Sequence, residues 1–100
     1  MATEDIEAVF ADKKLDDDYK RLSKSRHSEE DKKLYHVLTV IREKVGELYR
    51  FGKKLPKNKI PDVYLQRFRI ENLWSLDLPG HGTVLYSVAE GRILIVDLLG

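Results

Sequence analysis

The stretch that decides the fold is NLWSLDLPGHGTVLYSVAEGRILIVDLLG, residues 72–100. Its first two runs alternate apolar and polar residues, which is the pattern of strands with one buried and one solvent-facing side. Pro79-Gly80-His81-Gly82 and Glu90-Gly91 predict two turns, the second a tight hairpin. The last run, Ile93-Leu94-Ile95-Val96, is apolar at every position. We therefore predict three consecutive strands, the last of which is central and covered on both faces.

The alternation also assigns residues to the two sides of the sheet. One side carries Trp74, Leu76, Leu78, Val84, Tyr86 and Val88. We predict that Trp74 and Tyr86 pack in the core on this side, in preference to base stacking or catalysis. Leu73 and Leu85 fall on the opposite, otherwise polar side, where exposed apolar groups predict a surface that another molecule covers.

Length and composition predict one domain. The chain has 100 residues, 42% of them hydrophobic and 35% charged, so it can bury one modest core and is not of the disordered class. It contains no cysteine, which excludes disulfides and thiolate metal sites and fits a reducing cytoplasm. The acidic N-terminus and the absence of a long apolar run predict neither a signal peptide nor a membrane span. We expect a single cytoplasmic domain over residues 1–100.

Basic charge is concentrated in the segment RFGKKLPKNKIPDVYLQRFR, residues 50–69. It holds seven Lys or Arg and one Asp, a net charge of +6, whereas the whole chain has a net charge of +1. Such a local field attracts polyanions, and phosphate is the obvious candidate. The alternative is a solvated, proline-broken connector that is rich in lysine for solubility. The candidates for nucleic-acid binding are Lys53, Lys54, Lys57, Lys59, Arg67 and Arg69.

The first half of the chain predicts one strand and two helices. Ile6, Ala8 and Phe10 alternate with other residues as in a strand. A short amphipathic helix follows, with Leu15, Tyr19 and Leu22 on one stripe. Basic residues gather towards its C-terminal end, as helix electrostatics alone would select, so this helix predicts no ligand site.

The second helix is specified more strongly. Ser28 is a predicted N-cap, and Gly52 is the predicted C′ residue that ends the helix. Its apolar stripe consists of Leu34, Leu38, Ile41, Val45 and Leu48. The predicted order is β-α-α-β-β-β, an α+β domain in which two helices pack on one mainly antiparallel four-stranded sheet.

This order and the C-terminal strand run resemble the RelE/ParE toxin superfamily. The most specific pieces are NLWSLDLP, residues 72–79, and VLYSV, residues 84–88, and the likeness extends over residues 6–100. It is closest to archaeal RelE-like members. The resemblance implies a type II toxin–antitoxin system, in which a cognate antitoxin inhibits the toxin. It also implies one of two activities, cleavage of mRNA in the ribosomal A site or action on DNA gyrase, between which a shared fold does not choose.

For a RelE-like mRNA interferase, the resemblance implies an endoribonuclease that needs neither a metal nor a cofactor. The 2′-OH of the RNA is the nucleophile, so the protein must accept its proton, balance charge on the phosphoryl oxygens and donate to the leaving oxygen. The family places Lys and Arg on the middle strands for this chemistry. It places a further Arg and Tyr, or His and Tyr, beyond the last strand.

This sequence departs from that set of residues. Ser75 and Asp77 stand where the family has lysines, and Thr83 stands where it has arginine. A hydroxyl cannot replace a guanidinium that binds phosphate through two parallel hydrogen bonds. We also expect that the sequence is truncated and lacks the family's C-terminal segment.

Two candidates for acid–base catalysis remain. His81 in the turn can titrate near neutral pH, although an exposed turn histidine without a role is the favoured alternative. Tyr86 is the second, although core packing is favoured for it. The other histidines, His27 and His36, have no spacing that indicates a metal pair.

Two functional hypotheses follow. The first is a RelE-like, ribosome-associated mRNA endoribonuclease with most of the usual catalytic cations missing. The second is a nuclease-inactive RelE-fold protein that binds an antitoxin, the ribosome or another protein partner. An antitoxin, a ribosome or a second copy would each cover Leu73 and Leu85. No residue here argues for gyrase as the target, and we expect neither a membrane partner nor a small-molecule cofactor.

Overall fold

The computed structural model describes residues 6–99, and within them it places five strands and three α-helices. Their bounds are β1 Glu7–Phe10, α1 Lys13–Lys24, α2 Glu29–Leu48, β2 Lys53–Lys54, α3 Asp62–Phe68, β3 Trp74–Leu78, β4 Gly82–Ala89 and β5 Arg92–Leu99. Two short 3₁₀ helices, Tyr49–Phe51 and Lys57–Lys59, flank β2. The predicted α+β class is confirmed. The prediction of two helices and four strands is corrected, because the basic segment contains β2 and α3 and is not a bare connector.

The five strands form one mixed sheet in the order β1-β5-β4-β3-β2. β1 runs parallel to β5, and every other pair is antiparallel. β5 therefore lies between β1 and β4, which confirms the prediction of a central strand. Both predicted turns are present, and Gly80 and Gly91 adopt the positive φ angles, 83° and 67°, that glycine tolerates best.

A β-bulge interrupts the pairing of β4 with β5. Leu85 is opposite Asp97, whereas Tyr86 is opposite Ile95, so β5 contributes one additional residue, Val96. Val96 packs in the apolar cluster beneath α3. Asp97 accepts a hydrogen bond from the Tyr64 hydroxyl of α3 at 2.7 Å. The bulge thus gives the centre of the sheet both an apolar and a polar contact with α3.

The first face of the sheet packs against α1 and α2. The cluster there contains Leu22, Leu38, Ile41 and Val45 from the helices and Val84, Tyr86, Ile93 and Ile95 from the strands. A short polar side chain caps the N-terminus of each of these helices. Asp12 accepts from the Leu15 amide at 3.0 Å, and Ser28, the predicted N-cap, accepts from the Asp31 amide at 3.1 Å. The stripe prediction is wrong for Leu34, which is 41% exposed.

The second face is partly covered by the chain itself. Residues 55–73 cross it and bury a second cluster that contains Ile60, Ile70, Leu73, Leu85 and Val96. Leu73 and Leu85 are 0% and 8% exposed. The prediction that they form a surface for another molecule is therefore wrong, because α3 and the segments that flank it occupy that position.

Gly52 does not end α2 in the way the sequence predicts. The helix ends at Leu48, a 3₁₀ helix follows, and Gly52 has an ordinary φ of −72°. Glycine is required here for close approach, because a Cβ at this position would collide with the phenol oxygen of Tyr86. It would also lie 3.0 Å from the Ser75 carbonyl oxygen.

Candidate functional site

The positions where the resemblance implies cations lie on the second face, beyond the part that α3 covers. Asp77 of β3 is directly opposite Thr83 of β4. The Thr83 hydroxyl donates a hydrogen bond to an Asp77 carboxylate oxygen at 2.6 Å. In the part of the chain that the structure describes, no lysine or arginine forms an ion pair with Asp77. This pair presents negative charge to any phosphate that approaches the face.

β2 brings one cation to the same face. Lys53 is opposite Ser75, which in turn is opposite Leu85 on β4. Residues that are opposite each other in antiparallel strands share a face, so Lys53 lies on the side of Ser75 and Leu85. Lys54, the next residue, is opposite Trp74 and lies on the helix side, where its ammonium group is 5.8 Å from the centre of the indole ring. The side chains of these two adjacent lysines therefore lie on opposite faces of the sheet.

The lysines of the basic segment differ from three of the helix lysines in their partners. Lys20, Lys32 and Lys44 each form an ion pair with a carboxylate three or four residues away, at 2.8, 3.3 and 3.7 Å. The exposed set Lys53, Lys54, Lys57 and Lys59 has no carboxylate within 4.0 Å among residues 6–99. These four lysines therefore form no ion pair within that range, and their ammonium groups are available to an anionic partner.

The two arginines proposed for nucleic-acid binding differ in their contacts. Arg67 of α3 donates to the Asp12 carboxylate at 2.8 Å and so connects α3 to the start of α1. Arg69 is exposed and adopts a left-handed backbone conformation, with φ 53° and ψ 39°, where it ends α3. Its amide donates to the Leu65 carbonyl at 3.0 Å. Arg67 thus differs from the four lysines in having an acidic partner.

A groove of about 390 Å³ lies beside β2. Its lining residues are Lys54, Leu55, Pro56, Lys57, Ile60, Glu71 and Asn72. The Asn72 side chain already forms three hydrogen bonds with β4. Its oxygen accepts from the Val88 amide at 2.8 Å and from the Ser87 hydroxyl at 3.1 Å, and its nitrogen donates to the Val88 carbonyl at 3.0 Å. The polar groups that remain for a ligand are the two lysines and Glu71.

The structure places the two candidates for acid–base catalysis differently: Tyr86 lies on the opposite face from the Asp77–Thr83 pair, whereas His81 lies in the adjoining β3–β4 turn. Tyr86 is fully buried on the helix side of the sheet, and its hydroxyl donates to the Tyr49 carbonyl at 2.5 Å. Burial raises the pKa of Tyr86 to about 12, against a smaller opposing effect of a hydrogen bond with the Gly52 backbone. His81 is half-buried in the turn, where its amide donates to the Leu78 carbonyl at 2.8 Å. Its ring has no hydrogen-bond partner in residues 6–99.

Sequence reasoning did not single out Tyr64, Asp97 or Asn72, although each positions part of this surface. The hydrogen bond to Asp97 is the main cause, with burial, that raises the pKa of Tyr64 to about 12. A signal for α3 was present, because Pro61-Asp62 is a helix-start pattern and Tyr64 and Phe68 follow at helical spacing. Asn72 carried no signal in the sequence, because its partners are more than ten positions away.

Among residues 6–99, no group of three His, Asp or Glu side chains is placed to hold a metal ion. No helix in that range is both long enough and apolar enough to cross a membrane. The chain matched no protein-family model, no curated protein and no solved structure.

Proposed function

We propose that this chain is a RelE-fold protein of the toxin–antitoxin type that acts in the cytoplasm by binding a partner and does not cleave RNA. The observation that carries the proposal is the contact between Asp77 and Thr83 at 2.6 Å. In a cleavage reaction of this family, negative charge grows on the phosphoryl oxygens, and cations must face it. At that place this chain has a negatively charged carboxylate, hydrogen-bonded to a hydroxyl. Its charge repels the growing negative charge and so opposes the reaction. The candidate partners are a cognate antitoxin, the ribosome or another protein.

The covering of the second face supports the same conclusion. Leu85 is 8% exposed and Ser87 is 2% exposed, because residues 55–73 pack over the middle of this face. An RNA strand laid across the sheet would have to displace α3 to reach these positions. Displacement would break the Tyr64–Asp97 hydrogen bond and the Arg67–Asp12 ion pair. The part of the face that remains open is the Asp77–Thr83 row.

The proposal is tested by a cleavage assay with programmed ribosomes, in which the ends of the mRNA are mapped. We expect no cleavage from the wild-type chain. The double variant Asp77→Lys with Thr83→Arg restores two of the three cations that the resemblance implies, and a gain of cleavage in it would support the proposal that their loss inactivated the fold. The matched control, Asp77→Asn with Thr83→Val, breaks the pair without adding positive charge and should remain inactive. Robust cleavage by the wild type would overturn the proposal.

A second candidate function is the RelE-like mRNA endoribonuclease itself. One observation favours it, which is that β2 places Lys53 opposite Ser75 on the second face, so a cation reaches this face from a different strand. In that case Lys53→Gln abolishes cleavage in the same assay. Lys33→Gln is the matched control, since Lys33 is an exposed lysine of α2 without an ion-pair partner in residues 6–99. Equal cleavage by both variants would count against a role for Lys53.

A further inference from the structure

We propose that the groove beside β2 binds an extended, acidic peptide segment of a protein partner, which pairs with the outer edge of β2. This inference rests on the proposed function, since it names the chemistry of the partner. Four features carry it: the open backbone edge, the apolar floor of the groove, lysines that form no ion pair among residues 6–99, and a lining without aromatic residues.

The edge of the sheet at β2 has backbone groups available for pairing. The Leu55 amide donates inward to the Leu73 carbonyl at 2.9 Å. Because the direction of backbone groups alternates along a strand, the amide and carbonyl of Lys54 point away from β3. Pro56 closes this edge, since it has no amide hydrogen and its carbonyl accepts from the Lys59 amide at 2.8 Å. Lys54 therefore offers one donor and one acceptor at a defined position.

The opposite edge of the sheet, at β1, is occupied. The Arg42 side chain of α2 donates to the Ala8 carbonyl at 2.6 Å, and its guanidinium also contacts Glu7 at 3.5 Å. A strand that paired with β1 would compete with this hydrogen bond. Addition of an extended peptide, which uses main-chain hydrogen bonds for affinity and alternate side chains for specificity, is therefore favoured at β2.

The groove next to this edge suits side chains of alternating character. Leu55, Pro56 and Ile60 provide apolar lining, and the charged lining residues are Lys54, Lys57 and Glu71, with a net charge of +1. The Lys54 ammonium group also lies 5.8 Å from the centre of the Trp74 ring. The wider set Lys53, Lys54, Lys57 and Lys59 has no carboxylate within 4.0 Å in the described part of the chain. An occupant with alternating acidic and aliphatic residues matches both features.

An acidic peptide fits this groove better than RNA does. Single-stranded nucleic acids bind through aromatic side chains on which bases stack, and no aromatic residue lines the groove. Trp74, the nearest aromatic residue along β3, packs with Tyr86 on the helix side, with ring centres 6.4 Å apart. A peptide, in contrast, uses the open amide and carbonyl of Lys54.

The test measures binding of a labelled peptide of alternating Glu and Val by fluorescence anisotropy. Two other probes accompany it, the same peptide with alternate backbone nitrogens methylated and a labelled oligouridine. We expect the plain peptide to bind and the methylated peptide to bind at least about tenfold more weakly, because it cannot donate along the edge. Preferential binding of oligouridine, equal binding of the two peptides or no binding of either peptide would overturn the proposal.

Variants locate the site on the protein. Lys54→Gln with Lys57→Gln should weaken binding of the plain peptide by about tenfold or more. The matched control removes the same charge from the helices, Lys24→Gln with Lys33→Gln, and should change binding less than about twofold. Equal weakening in both double variants would show that binding depends on the overall charge of the protein, and it would overturn the groove assignment. The ribosome assay decides between binding and cleavage without reference to this groove, so either conclusion can fail while the other holds.

Discussion

The two faces of the sheet differ in what covers them. The helix side is apolar across its width, and α1 and α2 close it over residues such as Val84, Tyr86 and Ile95, each 0% exposed. The α3 side is divided, since Leu85 is buried under residues 55–73 whereas Asp77 stands exposed beyond them. Stability therefore depends mainly on the first face, and the polar groups that a partner can reach lie on the second face and along β2. Substitutions on the first face should therefore lower the free energy of unfolding more than substitutions on the second face.

The largest effect is expected from the helix side. Leu38 of α2 is 2% exposed, whereas Leu34, one turn earlier, is 41% exposed. Leu38→Ala should lower the free energy of unfolding by about 3 kcal/mol, because it leaves a cavity as well as removing buried apolar surface. Leu34→Ala, the control, should change it by less than about 0.5 kcal/mol. Urea unfolding followed by circular dichroism measures both, and equal losses would contradict the difference in packing.

Gly52 tests the junction between the helix layer and β2. Gly52→Ala should destabilise the fold by about 2 kcal/mol, because the added methyl group collides with the buried phenol oxygen of Tyr86. Gly46→Ala is the matched control, because a Cβ there lies 3.6 Å from its nearest neighbour, the Ile6 carbonyl oxygen. It should stabilise α2 by about 0.5–1 kcal/mol. Thermal unfolding of the two variants should therefore shift in opposite directions, and a shift in the same direction would argue against the collision.

The smallest effect is expected where α3 docks on the second face. Tyr64→Phe removes the hydrogen bond to Asp97 and should cost about 1 kcal/mol. The pKa of Tyr64 is raised from 10.0 to about 12 in the folded chain. The stability that this shift represents is complete below pH 10 and is lost as the pH rises through about 12.

Alkaline titration of tyrosinate absorbance separates this group from the others. Tyr64 and Tyr86 are both expected to titrate near pH 12 in the wild type. Tyr64→Phe should remove one of these late-titrating groups, whereas Asp97→Ala should return the pKa of Tyr64 towards its ordinary value. Two late groups in the Asp97→Ala variant would exclude the hydrogen bond to Asp97 as the main cause of the shift.

Much of the fold was predictable because its signals are local. The alternation in residues 72–100 placed three strands, and the two turns followed from their glycines. Ser28 marked the start of α2 correctly, since an N-cap depends on residues three positions apart. The parallel β1 was predicted as a strand, but its place beside β5 depends on residues that are far apart in the sequence.

The structure of the basic segment was predicted only in part, because its composition does not indicate the strand and the helix that it forms. Lysines and two prolines dominate residues 50–69, so the apolar Leu55, Ile60 and Phe68 were not recognised as the cover of the second face. The candidate lysines could be listed from sequence, but their partners could not. Arg67 pairs with Asp12, which lies 55 positions earlier, and only the folded chain reveals that its charge is neutralised.

The parallel pairing of β1 with β5 has a consequence for folding. Glu7 pairs with Arg92, so β1 has its only strand neighbour among the described residues in β5, which is synthesised after all the other described strands. Until residues 92–99 leave the ribosome, β1, α1 and α2 have no central strand on which to pack. The β4–β5 hairpin is local and can form early, whereas its docking with the older helical layer closes a long loop. That docking should be the slow step of folding, and before it the apolar stripes of both helices depend on protection from aggregation.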